Sequence, residues 1–172
     1  MKASFIFAGA VLPLVTIPWE FLAYSYLRSL YIGGALVTIG EIVALILVKL
    51  ITRRKTSLYI NSGVMLSIPL ILIMTLFPPP SPIGFRYPFL MFPAITGGIC
   101  EELIYRDCIL EKGRYDNYIQ AILWSFNHVL DGPTFVFYTF IIGIILGLIA
   151  RRFGVLPCVI AHVTANTLRI FL

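Results

Sequence analysis

Charge is scarce in this chain. Only 12% of its 172 residues are Asp, Glu, Lys or Arg and 59% are hydrophobic, a balance that excludes an ordinary soluble globular domain. Histidine is scarcer still, with two in the whole chain, and cysteine is limited to Cys100, Cys108 and Cys158. An odd cysteine count in apolar surroundings, without CxxC spacing, excludes a disulfide framework and reads as core thiols. The HExxH pair of many zinc hydrolases is absent. So is a continuous basic face interleaved with aromatics, which excludes nucleic acid as a partner. The net charge of +5 comes mostly from short clusters, Arg53-Arg54-Lys55, Lys112 with Arg114, and Arg151-Arg152.

What fills the chain instead is long apolar runs. With about 20 apolar residues per crossing as the yardstick, seven spans are expected at 4–27, 30–51, 57–77, 87–110, 115–131, 133–150 and 155–172. The expected fold is an all-α, polytopic membrane bundle of about seven transmembrane helices. The first run resembles a signal peptide only in its opening residues and is too long for one, so it counts as a span. The basic clusters follow the second, fourth and sixth spans, which predicts a cytoplasmic N-terminus and cytoplasmic basic loops in a multi-pass protein of the cell membrane. Four prolines in Pro78-Pro79-Pro80-Ser81-Pro82 must break any helix. They divide the chain into an N-terminal anchor, 1–77, and a part at 87–172 that carries nearly all the unusual polar residues. No internal repeat relates the two parts, which argues against a transporter built from inverted repeats.

Ionisable residues inside apolar spans mark functional sites, because each is costly to place in hydrocarbon. The stretch GGICEELIYRD, residues 97–107, holds four of them. Glu102 and Arg106 are four apart and share a helix face in the favourable order. Glu101 is rotated about 100° from Glu102 and cannot use that arginine equally well. Gly97 and Gly98, one turn earlier, let another backbone approach closely. The only two histidines fall in later apolar spans, His128 four residues after Trp124, and His162 four residues before Asn166. Other polar residues read as structural: Glu41 as an interhelical hydrogen-bonding group, Glu20 as an interfacial anchor with Trp19, Tyr24 and Arg28, and Arg169 as snorkelling to the interface.

Glu101-Glu102-x-x-x-Arg106, then Trp124-x-x-x-His128, then His162-x-x-x-Asn166 resemble the three motifs of the CAAX-protease and bacteriocin-processing family of intramembrane proteases, an Abi-like family. Phe140-x-x-Gly143-x-x-x-Gly147 and the Gly154 to Pro157 lead-in strengthen the resemblance, which covers residues 87–172. The second motif more often begins with phenylalanine, and Trp124 is expected to alter the cavity wall and leave the chemistry intact. The resemblance implies an intramembrane endopeptidase acting on a membrane-associated peptide or protein, of the CAAX-prenylated type or unlipidated, among membrane lipids. It implies that Glu101 and His128 activate water while His162 and Asn166 stabilise the oxyanion, with Glu102, Arg106 and Trp124 supporting the site. An alternative takes Glu101, His128 and His162 as ligands of a divalent metal such as zinc, so the cofactor stays open, with the metal-free glutamate mechanism preferred. Two other function classes fit the same residues, a non-catalytic scaffold or immunity-type binding protein and a proton-coupled transporter. Cleavage is expected near the cytoplasmic end of the bundle, in a cavity open to the cytoplasm. Helical rise puts Glu101 and His162 at similar depth, roughly 14 Å and 8–10 Å, but carries His128 to about 20 Å.

Overall fold

Backbone groups in hydrocarbon must be satisfied within their own segment, so each apolar run closes into a helix. The structure, a computed structural model, describes residues 3–27, 29–56, 58–77 and 88–172, and the side chains of all of these except 24, 26, 27 and 88. Among the described residues there are seven α-helices and no strand: α1 (Ala3–Phe21), α2 (Leu30–Thr52), α3 (Ser67–Leu76), α4 (Met91–Glu102), α5 (Asp116–Phe126), α6 (Pro133–Phe153) and α7 (Leu156–Phe171). Wider π-helical turns prolong α1 over Leu22–Leu27 and α4 over Leu103–Ile109. The helices α1, α2 and α6 are each long and apolar enough to cross a membrane. Large apolar side chains such as Ile39, Ile46, Leu72, Phe137 and Leu148 lie exposed on the outside, as a lipid-facing surface requires.

Two spans differ from expectation. The third does not begin at 57 but at Ser62, because Asn61 caps it, accepting the Gly63 amide and donating to the Phe153 carbonyl. The fifth stops at Phe126. Residues 127–131 then turn, and Gly132, with φ of 96°, and Pro133 start α6. His128 therefore lies in the turn just beyond the helix that carries Trp124. The expected break at residues 78–82 lies outside the described residues.

The two parts of the chain pack as one bundle. Helix α4 lies against α2 and α7, α3 packs on α7, and α1 pairs with α2. The buried core joins Leu12, Ala44, Val48 and Met74 from the first part to Ile104, Trp124, Leu146 and Ala161 from the second. All three cysteines are buried and free, as expected. The basic clusters meet at one end. Arg54 donates to the Leu110 carbonyl and pairs with Glu111, while Arg151 donates to the carbonyls of Glu111 and Gly113.

Glycines set the close contacts that position the polar residues. A Cβ on Gly143 would lie 2.9 Å from the Trp124 ring, and one on Gly98 would lie 3.0 Å from the Val163 backbone nitrogen. Neither neighbour can retreat cheaply, the second because it is the α7 backbone beside His162. Gly98→Val is therefore expected to cost about 1–3 kcal/mol through overpacking and to reduce activity by more than the lost folded fraction explains. Parallel melting and turnover measurements check this; a variant with unchanged activity would show that α7 accommodates the added bulk.

Candidate active site

The adjacent glutamates of α4 point into different surroundings. Glu102 is fully buried and faces away from any cavity: its Oε1 lies 2.9 Å from His162 Nδ1 and 3.4 Å from Arg106 Nη1. The Arg106 guanidinium stacks 4.1 Å from the centroid of the Trp124 ring. It is held by charge and by that ring, since its nitrogens make no well-directed hydrogen bond among the described residues. Glu101 instead lines an internal cavity of about 170 Å³. Its Oε2 accepts the Trp124 indole N–H at 2.5 Å and its Oε1 accepts the Asn127 amide at 2.9 Å.

Both histidines converge on Glu101. His162 Nδ1 is occupied by Glu102, which leaves Nε2 4.0 Å from Glu101 Oε2. His128 Nδ1 lies 3.4 Å from Asp131, and its Nε2 is 3.9 Å from the same Glu101 oxygen. Each imidazole is thus oriented by a carboxylate on one nitrogen and presents the other to the cavity. Trp124 stands edge-on to both rings, with centroids 5.5 Å away in each case. Asn166 lines the cavity one turn beyond His162, its amide 3.5 Å from the Ala94 carbonyl. All seven residues singled out in the motifs therefore fall in one connected cluster.

Trp124 does more than shape a wall. Its N–H is one of two donors that hold Glu101, a contact that the sequence reading did not anticipate. Trp124→Phe keeps most of the ring and deletes the donor. A hydrogen bond to a charged group of this kind is worth roughly 1.5–3 kcal/mol, so turnover is expected to fall at least about 10-fold while the protein stays folded. Steady-state kinetics beside a melting curve measures both; wild-type kcat in this variant would leave Asn127 as the sole effective anchor.

The cavity and the basic clusters lie toward opposite ends of the bundle. Beyond the polar cluster the cavity's lining comes from the second half of α1 (Thr16, Glu20), the first half of α2 (Gly34, Val37), the residues at the entry of α4 (Leu90, Pro93) and the end of α7 (Asn166, Arg169). All of these lie toward the helix ends remote from the basic loops. On the basic-loop side the site is closed by buried Glu102, Tyr105, Arg106, Cys108 and Ile109. Cytoplasmic basic loops and a cavity that reaches the cytoplasm through that end are incompatible in this structure.

The separations also test the metal reading. Tetrahedral zinc with ligands at about 2.0–2.1 Å keeps donor atoms about 3.4 Å apart. The separations here, 3.9 and 4.0 Å from Glu101 Oε2, are wider than that. Among the described residues no group of three His, Cys, Asp or Glu is arranged to hold a metal ion. Each gap is too long for a direct hydrogen bond.

Three residues, Asn127, Asp131 and Thr16, escaped the sequence reading. Asn127 and Asp131 both reach the site because α5 has ended; on a continued helix Asn127 would point about 100° from His128. Thr16 donates to Asn127 Oδ1 at 3.0 Å, so α1 takes part as well. Glu41 accepts from Thr96 at 2.7 Å, the interhelical bond expected of it, but it also lines the cavity. Glu20 and Arg169, expected at the interface, line the cavity too.

A bundle of apolar helices with a carboxylate and two oriented histidines around an internal cavity defines a class of polytopic membrane protein with a polar site inside the bilayer. Residues 83–168, half of the chain and including all three motifs, match the family described as type II CAAX prenyl endopeptidase Rce1-like. The chain belongs to that family, which makes it a membrane protein of a family of CAAX-type intramembrane endopeptidases acting on protein substrates. No curated protein and no solved structure matches the chain.

Proposed function

We propose that this protein hydrolyses a peptide bond near the C-terminus of a membrane-associated, prenylated protein or peptide, with Glu101 as general base and no metal. The observation that carries the reading is the approach of two imidazole Nε2 atoms to within 3.9 and 4.0 Å of one Glu101 oxygen inside a cavity. A water bound among these three groups gives a proton to Glu101 as its oxygen bonds to the substrate carbonyl carbon. The carbonyl oxygen becomes an oxyanion. It is stabilised by the Asn166 amide and by His162, whose Nε2 faces the cavity beside Glu101. The C–N bond then breaks, and the proton on Glu101 passes to the leaving amine with His128 as the relay. One water is consumed; one carboxylic acid and one amine are released.

The test is purified protein incubated with prenylated and unprenylated peptides, with and without a chelator, and products read by mass spectrometry. Chelator-resistant cleavage that disappears in Glu101→Ala supports the reading. Cleavage abolished by the chelator and restored by zinc favours the metal site, and no cleavage of any peptide favours a scaffold. For orientation, we propose that the clusters at Arg53–Lys55, Lys112–Arg114 and Arg151–Arg152 face the cytoplasm of the cell membrane, as the basic bias requires. Single cysteines placed there should resist an impermeant thiol reagent in intact cells, and labelling would invert the topology.

A further inference from the structure

Helix α1 lies outside the family segment, yet it reaches the site. Its docking begins at Pro13, inside the helix, which has no N–H and so leaves the Gly9 carbonyl without its helical donor. The hydroxyl of Tyr105, the residue before Arg106, donates to that carbonyl at 3.1 Å. Thr16 follows Gly9 by seven residues, two turns along and about 20° round the helix, so the face that Tyr105 grips carries Thr16 about 10 Å further on. There the Thr16 hydroxyl meets Asn127 Oδ1 at 3.0 Å, and both side chains are buried. Asn127 in turn gives its NH2 to Glu101 Oε1 at 2.9 Å.

Resting on the reading of Glu101 as the base, we infer that Thr16 is a positioning residue that acts on Glu101 through Asn127. The direction of the chain of bonds is fixed by what each group can do. An ionised carboxylate only accepts, so Asn127 must turn its NH2 to Glu101 and its oxygen to Thr16. Among the described residues that oxygen has Thr16 as its donor. The Thr16 hydroxyl has one proton and a second acceptor at 3.0 Å, the Leu12 carbonyl one turn back. That carbonyl already receives the Thr16 backbone N–H of the helix, so the proton is worth more on the amide oxygen. Without the hydroxyl the buried oxygen has no donor, and any rotation of the amide in search of one takes its NH2 away from Glu101. The Trp124 N–H still holds the other carboxylate oxygen, so the loss is partial. Glu101 is thus aimed in part by a helix that carries none of the three motifs.

The experiment has two arms. The first compares Thr16→Val, which keeps the shape and deletes the donor, with Thr16→Ser, which keeps the donor and deletes a methyl group. Thr16→Val is expected to lose about 10-fold in kcat, the scale of one hydrogen bond, with KM within about twofold of wild type. Thr16→Ala should match it, Thr16→Ser should keep most of the wild-type kcat, and melting curves should show all three folded. In an Asn127→Ala background Thr16→Val should cost little more, because its route to Glu101 is already gone. The second arm needs no turnover. In protein carrying isotope-labelled asparagine, the NMR signals of the Asn127 side-chain amide are assigned by their loss in Asn127→Ala. They should move in Thr16→Val and in Glu101→Gln and stay near wild type in Thr16→Ser. Such movement in a protein that cleaves no peptide supports the positioning role and sinks only the peptidase reading. Signals unmoved by Thr16→Val overturn the inference, as do wild-type kcat in that variant, equal losses in Thr16→Val and Thr16→Ser, or full additivity with Asn127→Ala.

Discussion

Glu101→Gln is expected to melt within about 2 °C of wild type and to cleave no substrate. The substitution is close to isosteric, and the surroundings can absorb it. The new amide can keep its oxygen toward the Trp124 indole N–H and turn its NH2 toward Asn127. A flip of the Asn127 side chain then presents an acceptor to that NH2 and a donor to the Thr16 hydroxyl, its present partner. Every hydrogen bond can be remade, so stability is retained. What cannot be remade is the basic oxygen between the two imidazoles, because an amide does not accept a proton from water at neutral pH. Loss of at least about 1000-fold in kcat is expected, in the range seen when a group acting in the transition state is deleted. Retained turnover in a correctly folded variant would remove Glu101 from the reaction.

Glu102→Gln should behave differently although its residue is the immediate neighbour. Glu102 and Arg106 are both buried among helices, and the carboxylate is the only charged partner within salt-bridge distance of the guanidinium among the described residues. Neutralising it leaves a cation whose remaining support is the Trp124 ring. Breaking one side of a buried pair typically costs about 3–5 kcal/mol, so a drop in melting temperature of several degrees or more is expected. Activity should fall further than unfolding alone explains, because His162 loses the carboxylate that orients it. Replacing both partners, Glu102→Gln with Arg106→Met, should recover much of the stability and little of the activity. Equal melting temperatures for the Glu101 and Glu102 variants would refute this division of roles.

The difference between the two glutamates was legible in the sequence because helical rotation is fixed: Glu102 aligns with a residue four further on and Glu101 does not. Span positions were legible for a related reason, since hydrocarbon tolerates only helices and the apolar runs mark where they lie. Asn127 and Asp131 were not legible. Their reach into the site depends on α5 stopping at Phe126, and no apolar pattern marks that stop. Arg169 and Glu20 were misread because a charge near a span end suits the lipid interface and a cavity wall equally well; only tertiary packing decides. The direction of the cavity was hidden in the same way, since it depends on which ends of several helices are lined together.

The site draws on segments that are far apart in the order of synthesis. Thr16 leaves the ribosome well before Glu101, and His162 comes 60 residues after Glu102. As α4 enters the bilayer, Glu102 and Arg106 can travel as a pair on one helix, while the donors for Glu101 are still unmade. Glu101 acquires its anchors when α5 and the following turn arrive, and its second neighbouring imidazole when α7 docks along Gly98. A growing chain thus holds an incomplete site until α7 has docked.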